Sequence, residues 1–100
     1  MFFAVIMSHP NGPEWGEHVH AHVDYLKTKE AEGKIRASGQ VTGRPLRSGM
    51  YIASVVDRQE LDQLIEGDPF FPAGLIVELQ VIEWKLFIGV FALEVEQRGF

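Results

Sequence analysis

The sequence predicts an α+β domain of the ferredoxin-like type, a βαββαβ split unit with a four-stranded antiparallel sheet and two helices on one face. Two observations carry this prediction. The segments follow one another in the order β-α-β-β-α-β. The first predicted strand, residues 2–8, is apolar on both faces, which is typical of a central strand that is covered on both sides. One hundred residues are enough for a single domain with one small core.

The first half of the chain predicts a strand, a loop and a long helix. After the strand at residues 2–8, the breaker cluster HPNGP at residues 9–13 predicts a loop. Residues 14–33 are then expected to be helical, with Gly33 as the stop signal. Their apolar residues recur at helical spacing; these are Trp15, Val19, Val23 and Leu26.

The second half of the chain predicts three strands, at residues 34–41, 49–56 and 75–84, and a second helix at residues 57–67. A loop rich in Gly, Pro and Arg at residues 42–48 separates the strand at 34–41 from the strand at 49–56. Asp57 is the predicted N-cap of the helix, with Glu60 three residues later as its capping-box partner. Gly67 is expected to end that helix.

One face of the predicted sheet has no helix to cover it. Because residues 2–8 are apolar on both faces, we expect two sheets to stack face to face in a homodimer or a higher homo-oligomer. Residues 1–84 would form the domain itself. The tail, residues 85–100, is also apolar, and we expect it to pack on a partner subunit.

Composition argues against several classes of protein. The formal net charge is −5 and no basic stripe is present, which argues against nucleic-acid binding. The chain has no cysteine, and therefore no disulfide framework and no thiolate nucleophile. Residues 1–7 lack the features of a signal peptide, and the apolar runs are shorter than a membrane span. We therefore expect a cytoplasmic protein with no membrane contact.

Among the histidines, His22 is the strongest candidate for chemistry. At about 100° per residue, the apolar residues of the helix lie within about 80° of one another, and His22 lies about 20° outside that arc. His22 is therefore expected to face the sheet, and His20 to face solvent. His18 and His22 could share zinc at their i, i+4 spacing, but no third ligand is evident, so no metal site is predicted. A structural histidine in the core is the competing interpretation of His22.

Asp68 is the candidate partner of His22. An Asp before Pro often simply ends a helix in a turn, which is the competing interpretation. In the predicted topology, however, the end of the second helix can meet His22 at one end of the cleft between helix and sheet. A carboxylate there would orient the imidazole and stabilise its cation.

Further side chains could bind a small-molecule substrate, through apolar walls, hydroxyl groups or a cation. The candidates are Phe3, Ser8, His9, Trp15, Ser38, Arg44 and Phe70. For Arg44 and Arg47, which could bind an anionic substrate, ordinary solvated charge is the competing interpretation. The chain has no glycine-rich phosphate-binding loop and no nucleophile elbow, so no cofactor is expected.

Four short motifs resemble the YciI-like family over residues 1–84: AHVDYL at 21–26, EGKI and ASG between 32 and 39, DPF with AGL between 68 and 75, and IEW at 82–84. The resemblance implies a dimeric α/β barrel of ferredoxin-like subunits and a His–Asp active site, here His22 and Asp68. One relative eliminates HCl from a chlorinated hydroxyquinol, and muconolactone isomerases are more distant relatives. The family usually has Gly-Pro where this chain has Gly39-Gln40, a change expected to reshape the mouth of the pocket.

Two functions follow as hypotheses. The first is a cofactor-free lyase or isomerase, such as a dehalogenase of aromatic degradation, with His22 as general base or acid and Asp68 as its orienting partner. The second is a non-catalytic oligomeric module that binds a small ligand or assists another enzyme, because a fold alone does not define an activity. The sequence leaves elimination, isomerisation and hydrolysis open.

Overall fold

The computed structural model describes residues 1–92 of the chain. Its elements are β1 (Phe2–His9), α1 (Glu14–Ala31), β2 (Ile35–Val41), β3 (Arg47–Ser54), α2 (Arg58–Glu66) and β4 (Glu78–Glu83). The four strands form one sheet in the order β2-β3-β1-β4, and each neighbouring pair is antiparallel. The predicted α+β class and element order are confirmed.

Strand β1 is central, as its two apolar faces predicted. It pairs with β3 on one side and β4 on the other, so that Val5 lies opposite both Tyr51 and Val81. On the face toward the helices, Phe3, Val5 and other buried side chains of the sheet pack against α2. The residues that α2 contributes to this core are Leu61, Leu64 and Ile65.

Helix α1 packs on the core through partly buried side chains, Tyr25 and Leu26. None of its residues is fully buried. Its apolar stripe also lines a cavity between the helix and the sheet. The helix ends in a Schellman arrangement: the amide of Lys34 donates to the carbonyl of Lys29, and the amide of Gly33 donates to that of Glu30. Gly33 adopts the positive φ of +79° that this ending requires.

Helix α2 has the predicted N-cap and C-cap residues, but Gly67 is needed for a reason other than the helix end. The Asp57 side chain accepts a hydrogen bond from the amide of Glu60 and caps the helix. Gly67 occupies the C-cap with an ordinary φ of −75°, so it is not needed there for a left-handed conformation. A Cβ atom at this position would lie 2.6 Å from the hydroxyl of Tyr25. Close approach of α1 therefore requires the glycine.

Several strand boundaries differ from the prediction; β3, for example, ends at Ser54 rather than at residue 56. His9 belongs to β1 and pairs with Arg47, which opens β3; the expected loop residues at both ends are therefore part of the ladder. Asn11 anchors this end, since its side chain accepts from the amide of Arg47 and donates to the carbonyl of Pro45. Strand β4 begins at Glu78 rather than at residue 75, because the preceding residues make only isolated hydrogen bonds to other segments.

The face of the sheet opposite the helices is partly covered by the chain itself. Leu86 is buried against Phe2 and Ile52, and the ring of Phe91 stacks on Phe2 with centroids 5.9 Å apart. The rest of the predicted tail, residues 93–100, lies outside the described residues, and its packing on a partner subunit stays a prediction. Three large apolar side chains on this face remain exposed; they are Met50, Ile82 and Trp84.

Within residues 1–92, no helix has the length and apolar character needed to cross a membrane.

Candidate active site

A cavity of about 370 Å³ lies between α1 and the adjoining part of the sheet. Its size is in the range of sites that bind small molecules, and it has room for a ligand with a single ring. Helix α1 provides one wall with Trp15, Val19, His22, Val23 and Leu26, and the sheet and Phe70 provide the rest.

His22 and Asp68 are in hydrogen-bond contact at this cavity. The Nδ1 atom of His22 lies 2.8 Å from Oδ2 and 3.0 Å from Oδ1 of Asp68. A carboxylate only accepts, so Nδ1 carries the proton and donates it to Asp68. The other ring nitrogen, Nε2, then carries the lone pair on the side of the ring away from Asp68. The His22 side chain is 15% exposed and that of Asp68 is 1% exposed.

Asp68 is held in place by the turn that follows α2. Its Oδ1 atom accepts a hydrogen bond from the amide of Phe70 at 3.0 Å, and its carbonyl accepts one from the amide of Phe71 at 2.8 Å. Its own amide donates to the carbonyl of Ile65. The carboxylate is therefore oriented by the backbone before it meets His22, which is the arrangement that fixes a histidine in one tautomer.

His9, at the end of β1, is a second imidazole of the cavity. Its Nδ1 atom lies 2.7 Å from the carbonyl oxygen of Leu75, to which it must donate, so Nε2 is its unprotonated nitrogen. The ring is buried, and burial lowers the pKa of His9, with the nearby charge of His22 acting in the same direction. The Leu75 hydrogen bond and the Asp68 carboxylate oppose this shift. His9 is therefore a neutral hydrogen-bond acceptor near neutral pH.

Phe70 packs against both imidazoles. Its ring centroid is 4.4 Å from that of His9 and 4.4 Å from that of His22, while the two imidazoles are 6.3 Å apart. Phe70 is fully buried, so it holds both histidines on one rigid apolar support. The unprotonated Nε2 atoms of His9 and His22 therefore belong to the same cavity.

The polar groups of the opposite wall come from β2 and β3. Tyr51 lines the cavity, and burial raises the pKa of its phenol, with the Asp68 carboxylate as the next cause. The guanidinium of Arg47 lies over the ring of Trp15 at 4.5 Å and also lines the cavity. Arg47 additionally donates to the carbonyl of Gly12, which ties it to the loop after β1.

The structure brings some of the predicted site residues to the cavity and not others. His9, Trp15, His22, Ser38 and Phe70 line it, with Asp68 behind His22. The catalytic or binding role of each stays a prediction.

The other three predicted residues lie elsewhere. Phe3 is part of the core. Ser8 is buried and lies 2.8 Å, hydroxyl to hydroxyl, from Ser48, which itself lines the cavity. Arg44 lies 3.6 Å from Glu78 in an exposed ion pair and does not line the cavity.

Several residues that line the cavity are not among the predicted site residues, and Tyr51 is one of them. Tyr51 is the one polar-tipped side chain among the apolar residues that β3 directs toward the helices, and that irregularity is the signal that could have identified it. Arg47 was indistinguishable from Arg44 until the pairing of β3 with β1 placed it opposite His9. Gln40 also lines the cavity.

No three potential metal ligands of residues 1–92 lie close enough together to hold an ion. The Nδ1 atom of His18 instead donates to the carbonyl of Glu14 on its own helix, at 3.0 Å.

The fold and the site define a small α+β domain in which an imidazole and a carboxylate meet beside a cavity between α1 and the sheet. The sequence profile of the YCII-related domain matches residues 1–85, and the chain belongs to this family.

Two solved structures are similar to this chain. One is the 5-chloro-2-hydroxyhydroquinone dehydrochlorinase TftG from Burkholderia phenoliruptrix AC1100 in complex with 2,5-dihydroxybenzoquinone. It has 26% sequence identity and a TM-score of 0.74, and the match covers 85% of this chain and 94% of the dehydrochlorinase. The protein At3g17210 from Arabidopsis thaliana has 13% identity and a TM-score of 0.50 over 89% of this chain and 97% of its own; it shows the fold alone. The search of curated proteins gives no match.

Proposed function

We propose that the protein is a cofactor-free lyase or isomerase that acts on a small cyclic or aromatic substrate through His22 and Asp68. The observation that carries the proposal is the contact between the buried Asp68 carboxylate and Nδ1 of His22 at the edge of a ligand-sized cavity. Such a contact leaves Nε2 of His22 as a base and stabilises the imidazolium that forms when it accepts a proton. The similarity to a dehydrochlorinase supports the same class of reaction.

Both reactions use the same first step. His22 Nε2 removes a proton from the substrate, and the electron pair of the broken bond moves into the ring. In a dehydrochlorination of a chlorinated hydroxyquinol, the ring carbon that carries chlorine gains a proton, so that the ring takes its keto form. His22 then removes a second hydroxyl proton, the electron pair of that O–H bond moves through the ring as a new carbonyl forms, and the C–Cl bond breaks. Chloride leaves with its bonding pair, and the net products are a quinone and HCl. In an isomerisation the imidazolium returns the proton to another carbon, and no group is lost. Asp68 stays ionised in both and holds the imidazolium in place.

The rest of the cavity suits an oxygenated ring. Phe70 and Trp15 offer apolar and aromatic surface, and His9 offers an acceptor for a substrate hydroxyl group. Arg47 offers a positive charge at the same cavity, which would favour a substrate that ionises to an anion.

The first substrate to test is 5-chloro-2-hydroxyhydroquinone, under anaerobic conditions because hydroquinones oxidise in air. Chloride release and quinone absorbance would be measured for wild type, His22→Gln and His20→Gln. His20 is exposed on the same helix two residues earlier, which makes it a matched control. We expect His22→Gln to lose about 10²–10⁴-fold in kcat, since that is the usual contribution of acid–base catalysis. His20→Gln should retain full turnover.

Imidazole addition to His22→Ala provides a second readout. Partial recovery of turnover would show that an imidazole acts at that position. Full turnover in His22→Gln would contradict the proposed mechanism. Absence of chloride release and of isomerised product across a panel of chlorinated phenols and lactones would instead favour a non-catalytic ligand-binding or accessory module.

We also propose that the protein assembles as a homodimer or higher homo-oligomer through the sheet face that lies opposite the helices. The exposed Met50, Ile82 and Trp84 on that face support this, because contiguous apolar surface on a folded domain marks an interaction site.

A further inference from the structure

The two tyrosines of the chain differ in whether the side-chain hydroxyl has a hydrogen-bond partner. The hydroxyl of Tyr25 donates to the carbonyl of Leu64 at 2.6 Å. The hydroxyl of Tyr51 is buried and has no hydrogen-bond partner among residues 1–92. No other buried side-chain nitrogen or oxygen of these residues lacks a hydrogen-bond partner. Since native proteins rarely bury an unpaired hydroxyl, this group requires an explanation.

The position of Tyr51 suggests what its partner is. Tyr51 lies in β3, opposite Val5 of β1 and Ser38 of β2, and it lines the same cavity as His9 and His22. The residue is only 4% exposed, so it is part of the rigid wall rather than of the rim. A ligand in the cavity would lie against this wall.

The chemistry of the two walls is complementary. His9 and His22 each donate from Nδ1 to a protein oxygen, so that Nε2 of each is an acceptor. Tyr51 is a donor, since burial and the charge of Asp68 raise the pKa of its phenol and keep the proton on the oxygen. An apolar ring would leave the Tyr51 hydroxyl unpaired. A ring that carries both a hydroxyl and a carbonyl or oxyanion would satisfy both sides.

We propose that the Tyr51 hydroxyl is a specificity-determining donor that binds a carbonyl oxygen or ring oxyanion of the ligand in this cavity. The inference deepens the proposed function by naming the substrate class, an oxygenated ring with an acceptor oxygen. It rests on the proposed function only in that the ligand occupies the cavity beside His22, and it does not depend on turnover.

The test compares Tyr51→Phe with Tyr25→Phe, since each change removes one hydroxyl and Tyr25 does not line the cavity. The probe is 2,5-dihydroxybenzoquinone, with its affinity measured by titration calorimetry. We expect Tyr51→Phe to weaken binding about tenfold, the effect of one hydrogen bond. Its thermal unfolding midpoint should be unchanged or higher, because an unpaired buried hydroxyl has been removed. Tyr25→Phe should show the opposite pattern, with a lower midpoint and unchanged affinity.

Benzene as a second probe distinguishes a lost hydrogen bond from a changed cavity shape. Its affinity, measured by the shift in unfolding midpoint, should be equal in wild type and Tyr51→Phe. Equal affinity of both proteins for the quinone, or equal weakening for quinone and benzene, would overturn the inference. So would the absence of quinone binding by wild type. Quinone binding that depends on Tyr51 in a protein without turnover would support this inference and contradict the proposed function.

Discussion

The Asp68 carboxylate lies 2.8 Å from Nδ1 of His22, although the two residues are 46 positions apart in the chain. Contacts with Phe70 fix the orientation of both side chains. The amide of Phe70 fixes one oxygen of Asp68, and the ring of Phe70 packs against His22. The turn after α2 therefore orients both members of the pair, and the predictions below start from that geometry.

Replacement of Asp68 by Asn should remove activity with little loss of fold. The Asn carbonyl can still accept from Phe70, but its amide group would donate to Nδ1 of His22. The proton of His22 then moves to Nε2, and the base is lost. We expect kcat on a confirmed substrate to fall about 10²–10⁴-fold.

The control is Asp62→Asn, which breaks an exposed pair with Arg58 and should retain turnover. Full activity in Asp68→Asn would show that the carboxylate has only a structural role at the end of α2.

Stability should depend on pH through His9. Burial lowers the pKa of His9 below 6.5, the ordinary value that it regains on unfolding. The unfolded chain therefore binds more protons than the folded chain as pH falls below 6.5. The contribution of His9 to the free energy of unfolding is present above pH 6.5 and is lost as pH falls through its folded pKa.

Urea unfolding of wild type and His9→Gln between pH 5 and 7.5 measures this linkage, with roughly five points across the range. The pH slope should be shallower in His9→Gln than in wild type. His20→Gln, an exposed control, should keep the wild-type slope. An equal slope in all three proteins would mean that the histidine at position 9 is not buried in its neutral form.

Gly67→Ala should destabilise the protein through Tyr25. The added Cβ would lie 2.6 Å from the Tyr25 hydroxyl, which cannot simply swing away because it is bonded to Leu64. Overpacking of this kind costs about 1–3 kcal/mol in the free energy of unfolding. Gly16→Ala is the control, since a Cβ there meets nothing within 4 Å and alanine favours a helix.

A double-mutant cycle with Tyr25→Phe isolates the clash. The cost of Gly67→Ala should be smaller in the Tyr25→Phe background, because the nearest atom is then absent. An additive result would place the cost in the end of α2 rather than in the contact between the helices.

Ile82→Glu should shift the proposed oligomer toward monomer. Ile82 lies opposite Ala4 on the sheet face without helices and is 43% exposed. A charge there would be buried without a partner in a face-to-face dimer. Analytical ultracentrifugation of wild type, Ile82→Glu and Leu79→Glu tests this. Leu79 is equally exposed on the other face of β4, and its replacement should leave the mass unchanged.

Monomeric wild type at micromolar concentration would contradict the stacked-sheet interface. A lower mass of the Leu79→Glu assembly, with an unchanged mass for Ile82→Glu, would also contradict it.

Local signals in the sequence determined the element order. Alternation and helical spacing are properties of neighbouring residues, and the two-sided apolar pattern of residues 2–8 was enough to place β1 in the centre of the sheet. The same holds for Asp57, whose cap needs only the amide three residues later. The reason for Gly67 was not local, since it depends on Tyr25 of the other helix.

The candidate site also has features set by local sequence and features set by contacts between distant segments. The sequence by itself determined that His22 faces the sheet and that Asp68 follows the second helix, because both depend on the period and the end of a helix. Only the tertiary structure decided their hydrogen bond, the choice of Arg47 over Arg44 at the cavity, and the unpaired hydroxyl of Tyr51. These depend on how the helices pack on the sheet and on which residues pair across the strands, and such contacts join segments that are far apart in the chain.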